Sequence, residues 1–400
     1  MMRSVTGWLG GIAAGLSRNL KLVSLSLFFW GFGEGLFYDY VPLHLRDLGA
    51  DAVQTGYVIA LFSFGLAVTM LPAGIAADRY GPHISLRISW PLGIVAMLII
   101  AFTDTLGWFT LGWFLFGCSG FVIPPLTRYI TDGRGDLTPQ RALTLVFSSF
   151  SAGFMISPTI GGWIAQSYGL RSTFYLALVM VVASTVVILF TRPLPHTPAR
   201  INRNYLSLLH NRRFMGFMLL VFFGMFALQL GVPLTSRYLQ ETWLLSLPQI
   251  GILGSVLAFG EFSLGFALGG LPPRRVFAVL QAAGIVYALL LLSTGSLPLL
   301  AIAFFLRAGV GISRRFVDAI SMRVVPVQQH GLAFGLSATV TFAAGMLAPA
   351  AAGWLYSIDR SWPLQASVLL LPVAAVLTYL LAPRPVDGLP AAPPIPRVIG

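Results

Sequence analysis

Four ionisable residues lie inside long apolar runs. Glu34 and Asp39 fall in a run from Leu22 to Leu45, Glu261 midway along 248–270, and Arg307 midway along 297–318. A charged side chain at such depth is costly unless it is paired, hydrated or used. A carboxyl group there can take up and release a proton, and a guanidinium can hold an anion or neutralise a carboxylate. Spacing adds to this. Trp30, Glu34 and Tyr38 share one helix face at i, i+4, and Arg307, Gly311, Arg314 and Asp318 form a polar face at i, i+4, i+7, i+11. Asp39 falls off the first face, nearer the helix end, and is expected to be hydrated. The structural alternatives are an ion pair or hydrogen bond for Glu34, a counter-ion role for Arg307 toward Glu34 or Glu261, and a local pair for Arg314 and Asp318. Other chemistry finds no support. Cys118 is the only cysteine, the five histidines form no spaced metal motif, and there is no phosphate-binding loop of the GxxxxGK[ST] type. No cofactor or metal is expected, and no nucleophile–base pair suggests an enzyme.

The elements that position these residues follow from composition. Of 400 residues 56% are apolar and only 10% charged, and the mean hydropathy is +0.83. A soluble chain carries about 25% charged residues, so this one is read as an integral membrane protein. Apolar runs long enough to cross a bilayer fall at 22–45, 53–77, 84–102, 107–127, 141–166, 172–191, 214–235, 248–270, 275–293, 297–318, 330–356 and 363–382. The expected fold is all-α, with twelve transmembrane helices in two pseudo-symmetric six-helix bundles, 22–191 and 214–382. A basic linker over 192–213 joins them. Residues 1–21 read as a cytoplasmic lead-in, because the apolar piece Trp8 to Leu16 is too short to span, and residues 383–400 read as a proline-rich disordered tail.

With both termini cytoplasmic, 20 of the 25 Lys and Arg residues fall on the inside, four on the outside (Arg46, Arg171, Arg237, Arg360), and Arg307 in the membrane. The reverse topology inverts this bias and is rejected. The net charge of +12 therefore reflects topology, with no basic arm for a nucleic acid. The expected location is the cell (inner) membrane, as a monomer.

The halves repeat. Val41-Pro42-Leu43 and Arg46 recur as Val232-Pro233-Leu234 and Arg237, and Gly120, Pro158 and Gly162-Trp163 recur as Gly311, Pro349 and Gly353-Trp354, all at an offset of 191. In the second helix the offset is 195, where Gly56, Gly65, Gly74 and Arg79 match Gly251, Gly260, Gly269 and Arg274.

Two motifs carry a family resemblance. GIAADRYGPHISLR, residues 74–87, resembles the loop between helices 2 and 3 of the major facilitator superfamily through Gly74, Asp78, Arg79 and Gly81. Pro82-His83 stands where a basic pair is expected, and Pro273 replaces the aspartate in the second half. Gly74 would let helices approach, Gly81 would permit a tight turn, and Asp78 would pair with an arginine or a helix N-terminus. GFMISPTIGG, residues 153–162, resembles the helix-5 motif of proton-driven antiporters through Gly153, Pro158, Gly161 and Gly162, with Ser157 replacing a glycine. These residues suit a kink and close backbone contact; ordinary small-residue packing is the alternative.

The resemblance implies a secondary transporter whose helices 1, 4, 7 and 10 line a central cavity. On that basis Trp30, Glu34, Tyr38, Gln229, Arg307 and Gly311 are expected at the substrate cavity. Glu34, with Glu261 as runner-up, is expected to carry the proton. Gly74, Asp78, Arg79, Gly81, Arg128, Arg314 and Asp318 are expected at the inside gate. The expected activity is proton-coupled efflux of a small, partly apolar molecule by alternating access, resembling the drug antiporter branch. The alternatives are proton-coupled uptake of an organic anion held by Arg307, and a non-transporting sensor of the same fold.

Overall fold

Hydrocarbon offers no partner to a peptide group, so each apolar run closes its hydrogen bonds within itself as a helix. The computed structural model describes residues 15–194, 208, 210–325 and 329–383. It contains twelve helices of membrane length and, among the described residues, no strand. They are α1 (Arg18–Asp47), α2 (Ala52–Tyr80), α3 (Pro82–Phe102), α4 (Leu106–Asp132), α5 (Pro139–Tyr168), α6 (Arg171–Leu189), α7 (Arg212–Thr242), α8 (Leu247–Leu268), α9 (Pro273–Ser293), α10 (Leu297–Val324), α11 (His330–Ile358) and α12 (Trp362–Leu381). One-turn 3₁₀ segments interrupt α1 at Tyr38–Tyr40 and α4 at Gly120–Val122. A turn at 231–234 interrupts α7. The first fourteen residues, most of the linker and the tail beyond 383 lie outside the described residues. The sequence ends helix 7 near 235. The observed helix resumes and runs to Thr242, because Arg237 and Glu241 on its last turns neutralise each other at 2.7 Å.

The two halves use one pairing scheme. In the first, α1 packs on α5 and α6, α2 on α4, and α3 on α4 and α6; in the second, α7 packs on α11 and α12, α8 on α10, and α9 on α10 and α12. Two further pairs, α2 with α11 and α8 with α5, join the halves. The repeat extends to local detail. Asp51 with Gln54 and Ser246 with Gln249 form capping boxes that start α2 and α8.

The halves meet at the end carrying the α1–α2 and α7–α8 turns. There one apolar cluster crosses between them, placing Tyr40, Leu43 and Ala165 with Leu234, Leu239 and Leu253. Small residues let the backbones touch. A Cβ on Gly162 would lie 2.6 Å from the Leu247 carbonyl oxygen, and one on Gly353 would lie 2.5 Å from that of Ala52. A Cβ on Gly251 would strike the Pro158 carbonyl, and one on Gly56 the Pro349 carbonyl. These pairs are images of each other under the sequence repeat. Among the described residues, hydroxyls reinforce the α5–α8 seam alone. Tyr40 donates to the Pro158 carbonyl at 2.8 Å and lies 3.3 Å from that of Leu247, and Thr159 and Ser255 hydroxyls meet at 2.7 Å.

At the opposite end the apolar core divides into two clusters, one per half. Gly74 on α2 and Gly335 on α11, which would oppose each other if the helices stayed together, each have nothing among the described residues within 4 Å of an added Cβ. The protein is therefore closed at the α1–α2 end and splayed at the α2–α3 end.

Candidate functional site

A cavity of about 130 Å³ lies directly beneath the closed end, between the halves. The first half contributes Tyr38, Asp39, Phe62, Ser63 and Trp113, and the second contributes Gln229, Phe304 and Arg307. Tyr38, Phe62 and Trp113 form an aromatic wall with ring centroids 5.2–6.3 Å apart. Opposite them the Arg307 guanidinium sits 5.3 Å from the Phe304 ring centre and 6.0 Å from that of Tyr287. Gln229 Oε1 would lie 3.1 Å, and Ser63 Oγ 3.3 Å, from a Cβ on Gly345, so both polar groups converge where α2, α7 and α11 meet.

Asp39 interacts electrostatically with Arg307 across the halves. Its Oδ2 is buried without a hydrogen-bond partner and faces Gly254 of α8, where a Cβ would collide with it. The expectation that Asp39 is merely hydrated is thus corrected. Its sequence position places it one residue off the Glu34–Tyr38 face. Near the closed end, however, α1 is flanked by α7 and α8, so a wider arc of the helix faces the molecular centre.

Trp30 is also corrected. Its ring packs against Trp90 at 5.5 Å and Phe116 at 6.0 Å, and fills the space left by Gly93 of α3. It belongs to the interior of the first bundle, and the face chosen by i, i+4 spacing turns there into α3 and α4. Glu34 is half-buried, with the Trp30 indole as its polar neighbour. Glu261 lies against Gly311 of α10, whose missing side chain makes room for its carboxylate. It interacts electrostatically with Arg307, Arg315 and Asp39. A row of alternating charge thus runs through Arg315, Glu261, Arg307 and Asp39.

Of the gate residues, Gly81 adopts φ +88° between α2 and α3, a conformation that favours glycine. The side chain of Asp78 lies outside the described residues. Arg79 is exposed, with its guanidinium 5.3 Å from the Tyr80 ring centre. Gly74, expected at a close helix contact, has none, because the halves are apart at this end. Arg128 lies 3.6 Å from Asp132. Arg314 lies 3.9 Å from Asp318 and 4.7 Å from the Phe342 ring centre, while Ser337 of α11 donates to Asp318 at 2.6 Å. In the helix-5 motif Gly153 and Gly161 admit α1, Gly162 admits α8, and Pro158 packs against Gly251 of α8.

Sequence reasoning missed Glu241. It is the hub of the closed end, 2.7 Å from Arg237, 3.3 Å from Arg360 and 3.7 Å from Arg46 of the other half, and it accepts a hydrogen bond from Tyr356 at 2.9 Å. The repeated arginines Arg46 and Arg237 carried the signal, since both converge on it. Phe62 and Trp113 gave no signal among so many aromatic residues.

Known proteins resemble the chain along nearly its whole length. "Multidrug resistance protein 1" of Bacillus subtilis is 22% identical over 379 residues, covering 90% of this chain and 96% of the relative. The quinolone resistance protein NorA of Staphylococcus aureus is 22% identical over 370 residues, covering 88% and 94%. Among solved structures, the nucleoside transporter NupG superposes with a TM-score of 0.71 at 15% identity, covering 91% of this chain and 98% of that one. A bacterial homologue of the human lysosomal transporter Spinster, inward-facing and unoccupied, gives 0.69 at 15% identity, covering 92% and 96%. Residues 23–238 match the sequence pattern of the Major Facilitator Superfamily. With twelve membrane-length helices, the paired six-helix halves and this match, the chain belongs to the Major Facilitator Superfamily and is a multi-pass membrane transporter, not an enzyme.

Proposed function

We propose that the protein is a proton-coupled exporter of small, partly apolar molecules. In this reading it works as a monomer in the cell membrane, both termini are cytoplasmic, and the closed end faces outward. The observed form is then inward-open, ready to load from the cytoplasm. The multidrug and quinolone resistance relatives support the direction of transport. Coupling rests on one observation, the position of Glu261 near both Arg315 and Arg307, the second of which lines the cavity. A carboxylate that meets Arg307 and Arg315 in one state and a dry helix contact in the other binds and releases a proton as the protein alternates. Glu261 therefore ranks ahead of Glu34, which has the Trp30 indole as its polar neighbour. A second reading, uptake of an organic anion, is favoured by Arg307, which makes no direct ion pair among the described residues.

Proton release tests the coupling. Ethidium, an aromatic cation, is added to purified protein in weakly buffered detergent solution. Binding is expected to acidify the solution for the wild type and for Glu34→Gln, and not for Glu261→Gln. Equal proton release by the wild type and Glu261→Gln would remove Glu261 from the mechanism.

A further inference from the structure

The charges around the cavity are arranged in an unusual way. Asp39 and Arg307 both line it, from opposite halves. They interact electrostatically, yet among the described residues no ion pair joins them. One Asp39 oxygen is buried and unpartnered against Gly254 of α8, and the rest of the residue lines the cavity. A half-buried carboxylate and a half-buried guanidinium that line one cavity without meeting leave part of their desolvation cost uncompensated. Native structures rarely keep buried polar groups without partners. Both line the same open space of about 130 Å³. Water can fill it, or a ligand can bridge both charges.

The walls distinguish the two poles. The rings of Tyr38, Phe62 and Trp113 come from the same half as Asp39 and line the cavity with it, and aromatic faces in a cavity that holds a carboxylate favour an organic cation. The Phe304 ring centre lies 5.3 Å from the Arg307 guanidinium, and Gln229 of the same half lines the cavity with it, which suits a planar anionic group held by the guanidinium fork. We propose that the cavity binds a dipolar molecule, with a protonated amine at Asp39 under the aromatic wall and a carboxylate or similar anion at Arg307. The inference rests on the transporter reading and names its substrate class as amphoteric compounds carrying both charges around an aromatic or apolar body. The closed tip accommodates the charged groups, and any larger body extends toward the splayed end. This class also accommodates the two transport readings, since Arg307 holds an anionic group in an otherwise cation-like substrate. Because the poles belong to different halves, a bound ligand would tie the halves together at this level, as alternation around a central site requires.

Three probes of one shape test the proposal. They are para-aminomethylbenzoic acid, which carries both charges at neutral pH, benzylamine, and benzoate. Binding is measured by titration calorimetry on the purified full-length protein. The zwitterion is expected to bind about tenfold or more tighter than either single-charge probe, the value of one added charge-assisted contact. Asp39→Asn should weaken the zwitterion and benzylamine but not benzoate, and Arg307→Gln should weaken the zwitterion and benzoate but not benzylamine. If either variant fails to fold, the ranking of the three probes on the wild type decides. A zwitterion that binds no tighter than benzylamine or benzoate, including no binding by any probe, overturns the proposal and leaves the gap to water. The export reading is judged separately, by ethidium flux driven by a pH gradient, so the two can fail independently.

Discussion

Replacing Gly251 with alanine should open the closed end. A Cβ there would strike the Pro158 carbonyl oxygen and crowd its carbon at 3.0 Å, where a comfortable contact is about 3.5–4.0 Å. The obstacle is backbone on α5, so no rotamer change relieves it, and α8 must retreat by roughly half an ångström or more. Overpacking of this kind costs about 1–3 kcal/mol. The same atom would press on the Tyr40 hydroxyl, whose hydrogen bond to Pro158 contributes about 1 kcal/mol. The closed-end form should lose about 2–3 kcal/mol, a shift of roughly 30- to 150-fold in its ratio to the alternative form. Gly56→Ala presses on Pro349 in the mirrored seam and should act in the same direction. The assay is a distance distribution between spin labels on cysteines placed at Tyr168 and Leu244, which are 80% and 83% exposed on opposite halves at this end. The native Cys118 is buried. Gly251→Ala should convert a single short distance into a population dominated by a longer one. An unchanged distribution in a folded variant would refute the account of how the halves are held together.

Three further outcomes follow from the same geometry. Gly74→Ala meets nothing in the observed form but would crowd α2 if that end closes, so it should favour the splayed state, opposite in sign to Gly251→Ala, in the same label experiment. Glu241→Gln removes the charge shared by Arg46, Arg237 and Arg360; with Arg46 one-third exposed, the cross-half contact should lose about 1 kcal/mol, seen as a partial lengthening of the Tyr168–Leu244 distance that high salt reproduces in the wild type. Asp78→Asn, at the loop that resembles the superfamily gate, should lower ethidium transport in a protein that still inserts and elutes as a single species, and full transport would remove Asp78 from the gate.

Much of the architecture was legible because it depends on period and length. Hydrocarbon demands about twenty apolar residues per crossing, and those runs are plain in the sequence. The repeat was more informative than its residues suggested. Gly56 and Gly251, Gly162 and Gly353, and Pro158 and Pro349 recur because the two seams between the halves are built alike, from a glycine on one helix against a carbonyl on the next. The site was less legible. Trp30, Glu34 and Tyr38 share a face by spacing, but α1 crosses from the interior of its own bundle to the molecular centre along its length. One face therefore has two fates, with Trp30 in the first and Tyr38 in the second. Asp39 became a cavity residue through contact with α8 and the charge of Arg307 on α10, partners distant in sequence. Glu241 reads as one more acid near a helix end, and only the convergence of Arg46 and Arg237, 191 positions apart, gives it a role.

The central claim is that a proton gradient drives substrate through the cavity between the halves. The most direct measurement is ethidium accumulation by proteoliposomes with an acidic interior, before and after nigericin collapses the gradient. Accumulation is expected to depend on the gradient, to stop when it is collapsed, and to be absent when Glu34 and Glu261 are both replaced by glutamine. Ethidium entry at the same rate with and without the gradient would contradict the claim.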